Sequence, residues 1–299
     1  MKQSKRLADG HGFSFALETK KNLGQNFLAD ASIVAQIIAR AEQHALIAQR
    51  NCLEIGPGSG ALTRKLLEAG WTVCAIEKDA RAVAGLQQSL GQEFKGRLQV
   101  IEADILRLDM HAFSHQHPAP SRLCVGNIPY YITSDILFWF LSQQSFFSAA
   151  LLMVQKEVAD RLASTAGHKN YGRLTVRAQL SCRIEHVLTA PAKAFVPPPK
   201  VDSAVIEMIP LKETLLAKEE VEEFGQFTAQ LFSARRKMLR KTLQQAAAAL
   251  FKKQLSAESV LKIEQFSQQM WSVHFNQRPE ELSPDKLLGL FRLLRDLKE

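Results

Sequence analysis

Apolar residues in the first part of the chain occur in short runs that alternate with amphipathic stretches. The apolar runs predict strands at 52–55, 71–77, 98–105, 122–127 and from 149 onward. The helices predicted before and between these strands cover 30–46, 61–69 and 79–90. Strands that are apolar throughout and alternate with helices are typical of a parallel sheet covered by helices on both faces.

The pattern changes after Arg173. Two segments with alternating apolar and polar residues, 174–188 and 201–211, predict antiparallel strands on either side of a proline-rich turn. After Pro210, apolar residues recur at helical spacing and predict several amphipathic helices. We therefore expect a flexible N-terminal extension over 1–20, an α/β domain over 21–212 and a small all-helical domain over 213–299.

The charge of the chain changes this picture by pointing to a class of partner. The 299 residues include 38 Lys and Arg against 30 Asp and Glu, which gives a formal net charge of +8. Such an excess favours a polyanion such as nucleic acid, because neutralising phosphates releases condensed counterions. A solvated basic surface without a partner is the alternative interpretation.

The cysteines and the hydropathy indicate the compartment. Each cysteine lies in an apolar run and no CxxC pair is present, so the sequence predicts buried thiols in a reducing compartment and no metal site. No apolar stretch approaches the roughly 18 residues that cross a bilayer. No apolar core follows the basic N-terminal residues, as it would in a secretory signal. We expect a cytoplasmic protein that does not contact a membrane.

The turn GPGSG (56–60) joins the first apolar strand to a helix, at the place where an α/β sheet binds nucleotide-like ligands. Gly56 and Gly58 allow positive φ and close approach of a ligand to the backbone. The G-x-G-x-G spacing differs from the G-x-G-x-x-G that seats a pyrophosphate. Taken alone, the glycines could form only a tight strand-to-helix connection.

Acidic residues at three successive strand ends favour a cofactor. Glu54 precedes the glycine turn and suits a cationic ligand, such as a sulfonium with its amino-acid ammonium. Glu77 ends the second strand, where a carboxylate can accept the hydroxyl hydrogens of a ribose. Asp104 follows the third strand and can reach the amino group of an adenine ring. Together with the glycine turn, these residues predict a Rossmann-like pocket for S-adenosylmethionine.

The tetrad Asn127-Ile128-Pro129-Tyr130 follows the fourth strand and therefore lies at the same edge of the sheet. The exocyclic nitrogen of adenine is a poor nucleophile because its lone pair is delocalised into the ring. Accepting both of its hydrogens, at the Asn127 side chain and at the carbonyl of Ile128 or Pro129, localises that lone pair. Tyr130 offers a flat face to the base. An asparagine–proline turn with a buried tyrosine is the alternative.

Two further segments are candidates for contact with RNA. Phe195 lies in a loop stiffened by prolines and could form the opposite stacking wall for a base, or could pack on the core. The segment RRKMLRK (235–241) is predicted as a basic helix that binds phosphates, or as a solvated helix face. Its predicted RNA-binding residues are Arg235, Arg236, Lys237, Arg240 and Lys241.

Several motifs in this order resemble those of the ribosomal RNA adenine dimethyltransferases, and of their small-subunit branch in particular. They are LGQNFL (23–28), LEIGPGSGALT (53–63), IEKD (76–79), ADIL (103–106), GNIPYYITS (126–134), FVPPPKVDSAV (195–205) and FSARRKMLRKTL (232–243). The resemblance implies a class I S-adenosylmethionine-dependent methyltransferase fold with a helical C-terminal domain. It also implies cofactor contacts at Asn26, Leu28, Gly56, Glu77, Asp104 and Asn127.

The activity that the resemblance implies is N6,N6-dimethylation of two adjacent adenosines in the 3′-terminal hairpin loop of small-subunit rRNA. The enzyme would act as a monomer on an immature 30S subunit. A large-subunit rRNA adenine methylase that confers antibiotic resistance shares most of the motifs. A non-catalytic ribosome assembly factor on the same fold and a DNA adenine methylase are two further candidates.

Overall fold

Nearly all predicted strands take part in one mixed sheet in the computed structural model, which describes residues 25–119, 122–213 and 215–296. The described strands are β1 (Phe27–Leu28), β2 (Asn51–Ile55), β3 (Thr72–Glu77), β4 (Leu98–Glu102), β5 (Arg122–Asn127), β6 (Phe147–Gln155), β7 (Cys182–Ala190), β8 (Phe195–Val196) and β9 (Ser203–Pro210). Their order in the large sheet is β4-β3-β2-β5-β6-β9-β7, and β1 pairs separately with β8.

The strands from β4 to β6 are parallel, and β9 runs antiparallel to β6. The described helices are α1 (Ala31–Glu42), α2 (Ala61–Glu68), α3 (Ala80–Leu90), α4 (Met110–Gln116), α5 (Thr133–Gln143), α6 (Lys156–Leu162), α7 (Arg173–Ser181), α8 (Val221–Ser233), α9 (Leu239–Leu250), α10 (Ala257–Trp271) and α11 (Pro284–Asp296). The predicted α/β class, with its parallel sheet and helical C-terminal part, is confirmed.

The described residues divide into two compact units. The first takes in the described residues up to Ala159 together with Ile184–Pro210, and the second takes in Asp160–Arg183 and the described residues from Leu211 onward. The sequence places Asp160–Arg183 in the α/β domain, whereas the structure groups it with the helical unit. The extension predicted over 1–20 lies outside the described residues.

The strand predicted over 174–188 is wrong in its first half, where the structure has α7. Two features favour the helix. The Gly172 N–H donates to the Thr175 side chain at 3.3 Å, so the first turn is capped from within. Val176 and Leu180, spaced as i and i+4, are both buried in the core of the helical unit. Alternation of apolar residues is compatible with either element over so short a stretch, and tertiary packing decides between them.

An aromatic cluster forms part of the core of the helical unit. The Phe291 ring on α11 lies 5.4 Å from the ring of Phe224 and 5.6 Å from that of Phe227, both on α8. All three side chains are completely buried.

Within the described parts of the chain, no helix combines the length and hydrophobicity required to cross a membrane.

Candidate active site

A cavity opens at the carboxyl edge of β2, β3 and β5, in the first unit. Because these strands are parallel and paired in register, the segments that follow them meet at one edge of the sheet. Together with its mouth, the cavity holds about 1050 Å³ of space outside the protein atoms. The predicted site residues that line it are Asn26, Leu28, Gly56, Gly58, Glu77, Asp104, Asn127, Pro129 and Tyr130.

The glycine turn between β2 and α2 adopts a conformation that favours glycine. Gly56, Gly58 and Gly60 have φ of +62°, +54° and +80°. A Cβ at Gly58 would lie 2.8 Å from the Phe27 ring, whereas one at Gly56 would meet no protein atom within 4 Å. The backbone at Gly56 is therefore open to close approach by a ligand.

Glu54 lies under the glycine turn and is 1% exposed, yet it contributes to the cavity wall. Its Oε2 atom has no hydrogen-bond partner among the described residues. Burial raises the pKa of Glu54 to about 8, and the neighbouring Glu77 adds to the increase. A buried carboxyl with an unsatisfied oxygen needs a partner, and a cationic group would satisfy it.

Glu77 is held in one orientation by backbone donors. Its Oε1 accepts from the N–H groups of Lys78 and Asp79, both at 2.8 Å, and its Oε2 accepts from Gly58 at 3.2 Å. Burial raises the pKa of Glu77, although these three hydrogen bonds oppose the increase. The contact with Gly58 ties the end of β3 to the glycine turn, so the two predicted cofactor elements are positioned together.

Asp104 caps a 3₁₀ turn, Ile105–Arg107, by accepting from the Leu106 N–H at 3.1 Å through Oδ1. Its other oxygen, Oδ2, accepts from the Lys78 ammonium at 2.8 Å. This ion pair lowers the pKa of Asp104, so the carboxylate is charged at neutral pH. The structure places Asp104 at the predicted edge and adds a partner that the sequence did not indicate.

The side chain of Asn127 faces the cavity from the end of β5. Its Nδ2 donates to the backbone carbonyl of Asn26 at 2.8 Å. Because the amide nitrogen is used in this way, the Oδ1 atom is the part of the amide that remains to act as an acceptor. This bond also explains why Asn26, which showed no chemical role in the sequence apart from the family resemblance, belongs to the site.

The carbonyl of Pro129 is already engaged, since it accepts from the Ile132 N–H and from the Thr133 hydroxyl, both at 3.2 Å. The phenol of Tyr130 is 2.6 Å from the Ser203 hydroxyl on β9, which positions its ring. Burial raises the pKa of Tyr130, and the Ser203 contact partly opposes this. Tyr130 is therefore a neutral, oriented aromatic side chain at the cavity.

The stacking wall predicted at Phe195 is contradicted by the structure. The Phe195 ring is 2% exposed and packs in the core of the first unit, and it does not line the cavity. The reason is that β8 pairs with β1, where Phe195 lies opposite Leu28. The alternative interpretation, an aromatic residue packed on the core, is the observed one.

Tyr131 and Lys78 are among the cavity residues that the sequence did not predict. Tyr131 lines the cavity and is 58% exposed, so it presents an aromatic face where Phe195 does not. Lys78 also lines the cavity, through its pair with Asp104. Their positions could have indicated them, because Tyr131 directly follows the tetrad and Lys78 directly follows Glu77.

The predicted basic helix over 235–241 is wrong over its first half. A turn follows α8, and α9 begins only at Leu239. The N–H groups of Leu239 and Arg240 donate to the carbonyls of Gln277 and Phe275 at 2.7 and 3.0 Å, which anchors this turn within the second unit. Arg236 and Lys237 therefore lie outside the helix that carries Arg240 and Lys241.

Ion pairs divide the five basic residues into two groups. Arg235 donates to Glu280 at 2.5 Å and to the Lys169 carbonyl at 2.9 Å. Arg240 is paired with Glu264. The remaining three, Arg236, Lys237 and Lys241, are exposed. Arg236 and Lys237 therefore present their charge to solvent from the turn.

Sequence comparison with known proteins identifies the family. The family model described as ribosomal RNA adenine dimethylase matches residues 16–276. The chain belongs to this family. Its similarity to "Ribosomal RNA small subunit methyltransferase A" from Chlorobium luteolum is 38% identity over 281 residues, 94% of this chain and 92% of that protein. The protein of the same name from Bacillus cereus strain AH187 is 37% identical over 243 residues, 81% of this chain and 80% of that protein.

Solved structures agree with this assignment. A dimethyladenosine transferase from Plasmodium falciparum has a TM-score of 0.69 at 27% identity, covering 88% of this chain and 95% of that one. The 23S rRNA methyltransferase ErmE has a TM-score of 0.61 at 27% identity, covering 90% of this chain and 99% of that one. Family membership identifies the chain as an adenine methyltransferase of ribosomal RNA, as the sequence motifs predict.

Proposed function

We propose that this protein uses S-adenosylmethionine to dimethylate N6 of two adjacent adenosines in the 3′-terminal hairpin loop of small-subunit rRNA, as a cytoplasmic monomer acting on an immature 30S subunit. The observation that carries the proposal is the Asn127 amide, which is anchored on the Asn26 carbonyl at 2.8 Å and faces the same cavity as the glycine turn. The names of the relatives from Chlorobium luteolum and Bacillus cereus favour the small subunit over the large one.

The residues of the cavity fit an S-adenosylmethionine molecule. The unsatisfied Oε2 of Glu54 suits its ammonium group, and the open backbone at Gly56 allows its chain to approach closely. Glu77 and Asp104 would hold the ribose and the adenine, in the roles proposed from the sequence, and Leu28 and Gly58 would form apolar and backbone walls. When bound, the sulfonium supplies an electrophilic methyl group, so the protein needs no strong base.

The target amine is activated by fixed acceptors. The Oδ1 of Asn127 would accept one of its hydrogens, because the amide nitrogen already serves Asn26. For the second hydrogen we assign the carbonyl of Ile128, since that of Pro129 already accepts from Ile132 and Thr133. Acceptors that are positioned before the reaction stabilise the charge that develops on the nitrogen.

The target base must leave its stack to reach these acceptors. Tyr130 is oriented by Ser203 and offers one aromatic face, and the exposed Tyr131 offers a second.

In the second unit, Arg236, Lys237 and Lys241 are exposed cations that would contact phosphates. Arg235 and Arg240, each bound to a glutamate, would support this surface more than they would contact RNA.

The direct test is to incubate the purified protein with labelled S-adenosylmethionine and small subunits that lack these methyl groups, and to map the modified bases. We expect label on two adjacent adenines of the 3′-terminal hairpin loop. Large subunits and duplex DNA, supplied in parallel, test for a resistance methylase and for a DNA methylase. Label on either of these and none on the small subunit would overturn the proposal, and no transfer to any substrate would favour an assembly factor.

A further inference from the structure

The ion pair between Lys78 and Asp104 lies at the wall of the cavity, with the ammonium 2.8 Å from Oδ2. The Lys78 side chain is 66% exposed, whereas that of Asp104 is 24% exposed. A long, exposed lysine can leave such a pair at little cost, because solvent screens the interaction. The carboxylate cannot follow it, since Oδ1 is bound to the Leu106 N–H.

Oδ2 of Asp104 therefore faces two competing donors. In the protein alone the donor is Lys78. In the proposed function the donor is the amino group of the cofactor adenine. Each contact weakens the benefit of the other, because a carboxylate already neutralised by an ammonium is a weaker acceptor for a second donor.

A second cation lies close to this pair. Arg107 is exposed and near enough to lower the pKa of Asp104, although the hydrogen bond from Lys78 has the larger effect. Tyr131, whose ring is exposed, lies near Lys78 as well. The rim thus has two positive charges around one carboxylate, next to an aromatic face suited to a nucleobase. An exposed ammonium that leaves Asp104 here would be free to pair with another anion, such as a phosphate.

We propose that Lys78 is a positioning residue with two anionic partners: it pairs with Asp104 in the protein alone, and with a phosphate of the substrate RNA once the adenine amino group binds Asp104. This inference rests on the proposed function and deepens it, because it couples the two ligands. Cofactor binding would release the ammonium for RNA, and RNA would draw the ammonium away from Asp104. By linkage, each ligand must strengthen the binding of the other by the same factor.

The test measures this factor with S-adenosylhomocysteine, which cannot transfer a methyl group. Equilibrium dialysis of the labelled compound, with and without saturating unmethylated small subunits, gives the coupling in the wild type and in Lys78→Met. We expect a coupling of about two- to fivefold in the wild type, the range of an exposed ion pair. In Lys78→Met we expect a coupling close to one, with the affinity for S-adenosylhomocysteine alone increased by a similar factor.

Two controls make the test specific. Lys65→Met removes a comparable exposed lysine, 2.6 Å from Glu68 on α2 and outside the cavity lining, so the coupling should stay at the wild-type value. S-Inosylhomocysteine has a carbonyl in place of the amino group, so its coupling should be close to one in the wild type. Loss of coupling with Lys65→Met, or coupling retained with the inosyl compound, would contradict the proposal.

Failure of this inference and failure of the proposed function give different results. If the protein methylates small subunits but shows equal coupling in the wild type and in Lys78→Met, the proposed function stands and the proposed role of Lys78 is refuted. The same holds for a wild type that methylates but shows no coupling. If the wild type does not bind S-adenosylhomocysteine, both the proposed function and the proposed role of Lys78 are refuted.

Discussion

The nitrogen and the oxygen of the Asn127 side-chain amide have different roles. Its nitrogen donates to the Asn26 carbonyl, and its oxygen is thereby directed away from that contact. An aspartate at this position would have no N–H to donate, and a shorter side chain would not reach the cavity. The orientation of the proposed acceptor thus depends on a backbone carbonyl that lies 101 residues earlier in the chain.

Replacing Asn127 with alanine should reduce methyl transfer by about 10²- to 10³-fold, because one fixed acceptor is removed from the reacting nitrogen. Binding of S-adenosylhomocysteine should remain measurable, since the other cofactor contacts are intact. Single-turnover methylation and dialysis measure the two effects. Asn51→Ala is the matched control, because Asn51 also donates to backbone carbonyls, at 3.2 and 3.1 Å, but lies at the opposite end of β2. Normal turnover in Asn127→Ala would refute the mechanism.

Burial raises the pKa of Glu54 to about 8, so this carboxyl should make the stability of the protein depend on pH. In the unfolded chain this carboxyl has its usual pKa and loses its proton near pH 4.5, whereas the folded protein retains the proton until about pH 8. Between these values the unfolded state binds fewer protons, so the contribution of Glu54 to stability falls as pH rises, by up to about 1.4 kcal/mol per pH unit.

Glu54→Gln removes this contribution. We expect the free energy of unfolding of the variant, relative to wild type, to increase steadily from about pH 5 to about pH 8 in denaturant titrations. Glu68→Gln removes an exposed carboxyl of α2 and is the matched control for the loss of one carboxylate. A constant difference between Glu54→Gln and wild type over this range would show that the Glu54 carboxyl is charged in the folded protein.

At the scale of elements, α1 is tied to the antiparallel strands by a buried carboxylate. Glu207 on β9 is 1% exposed and accepts from Arg40 and His44, both from the α1 region, the latter at 2.8 Å. Burial alone would raise the pKa of Glu207, but the hydrogen bonds from His44 and Arg40 lower it to about 2. The stabilisation is thus fully present above pH 4.5 and is lost as the pH falls towards 2.

Glu207→Gln should lower the free energy of unfolding at neutral pH by about 3 kcal/mol, because the buried His44 loses its charged partner and Arg40 keeps only the more exposed Glu185. The loss should shrink at acid pH, opposite in sign to the trend for Glu54. Glu185→Gln removes the more exposed carboxylate that also binds Arg40 and should cost less than about 1 kcal/mol. Equal losses in the two variants, or a loss for Glu207→Gln that does not change with pH, would contradict this account.

For the whole molecule, the sequence predicts the parallel sheet and the cavity residues well, because both follow from local patterns. Buried strands are apolar throughout, and the strand ends of a parallel sheet meet at one edge, so Glu77, Asp104 and Asn127 could be placed together in advance. Asn26 follows only from the family resemblance, because its role depends on a contact distant in the chain.

The incorrect predictions concern segments where distant contacts decide the structure. The alternation of apolar and polar residues over 174–181 predicts a strand, but packing in the core of the helical unit favours the helix α7. Phe195 is in a proline-rich segment that suggests an exposed loop, yet pairing of β8 with β1 buries its ring. The basic residues of 235–238 favour a helix by propensity, but the backbone donors that follow them bind the carbonyls of Gln277 and Phe275.

The net charge of +8 favours binding to RNA but does not reveal which of the cations contact phosphates. The structure indicates two of them. Arg236 and Lys237 are exposed in the turn after α8, whereas Arg235 is bound to Glu280. The double variant Arg236→Ala/Lys237→Ala should therefore weaken binding to small subunits and reduce the slope of log affinity against log salt by about 1.4–1.8. Lys262→Ala removes a cation paired with Glu258 on α10 and should leave the slope unchanged. If the double variant keeps the wild-type slope, these two cations do not contact phosphate, and the positive charge of the helical unit acts elsewhere.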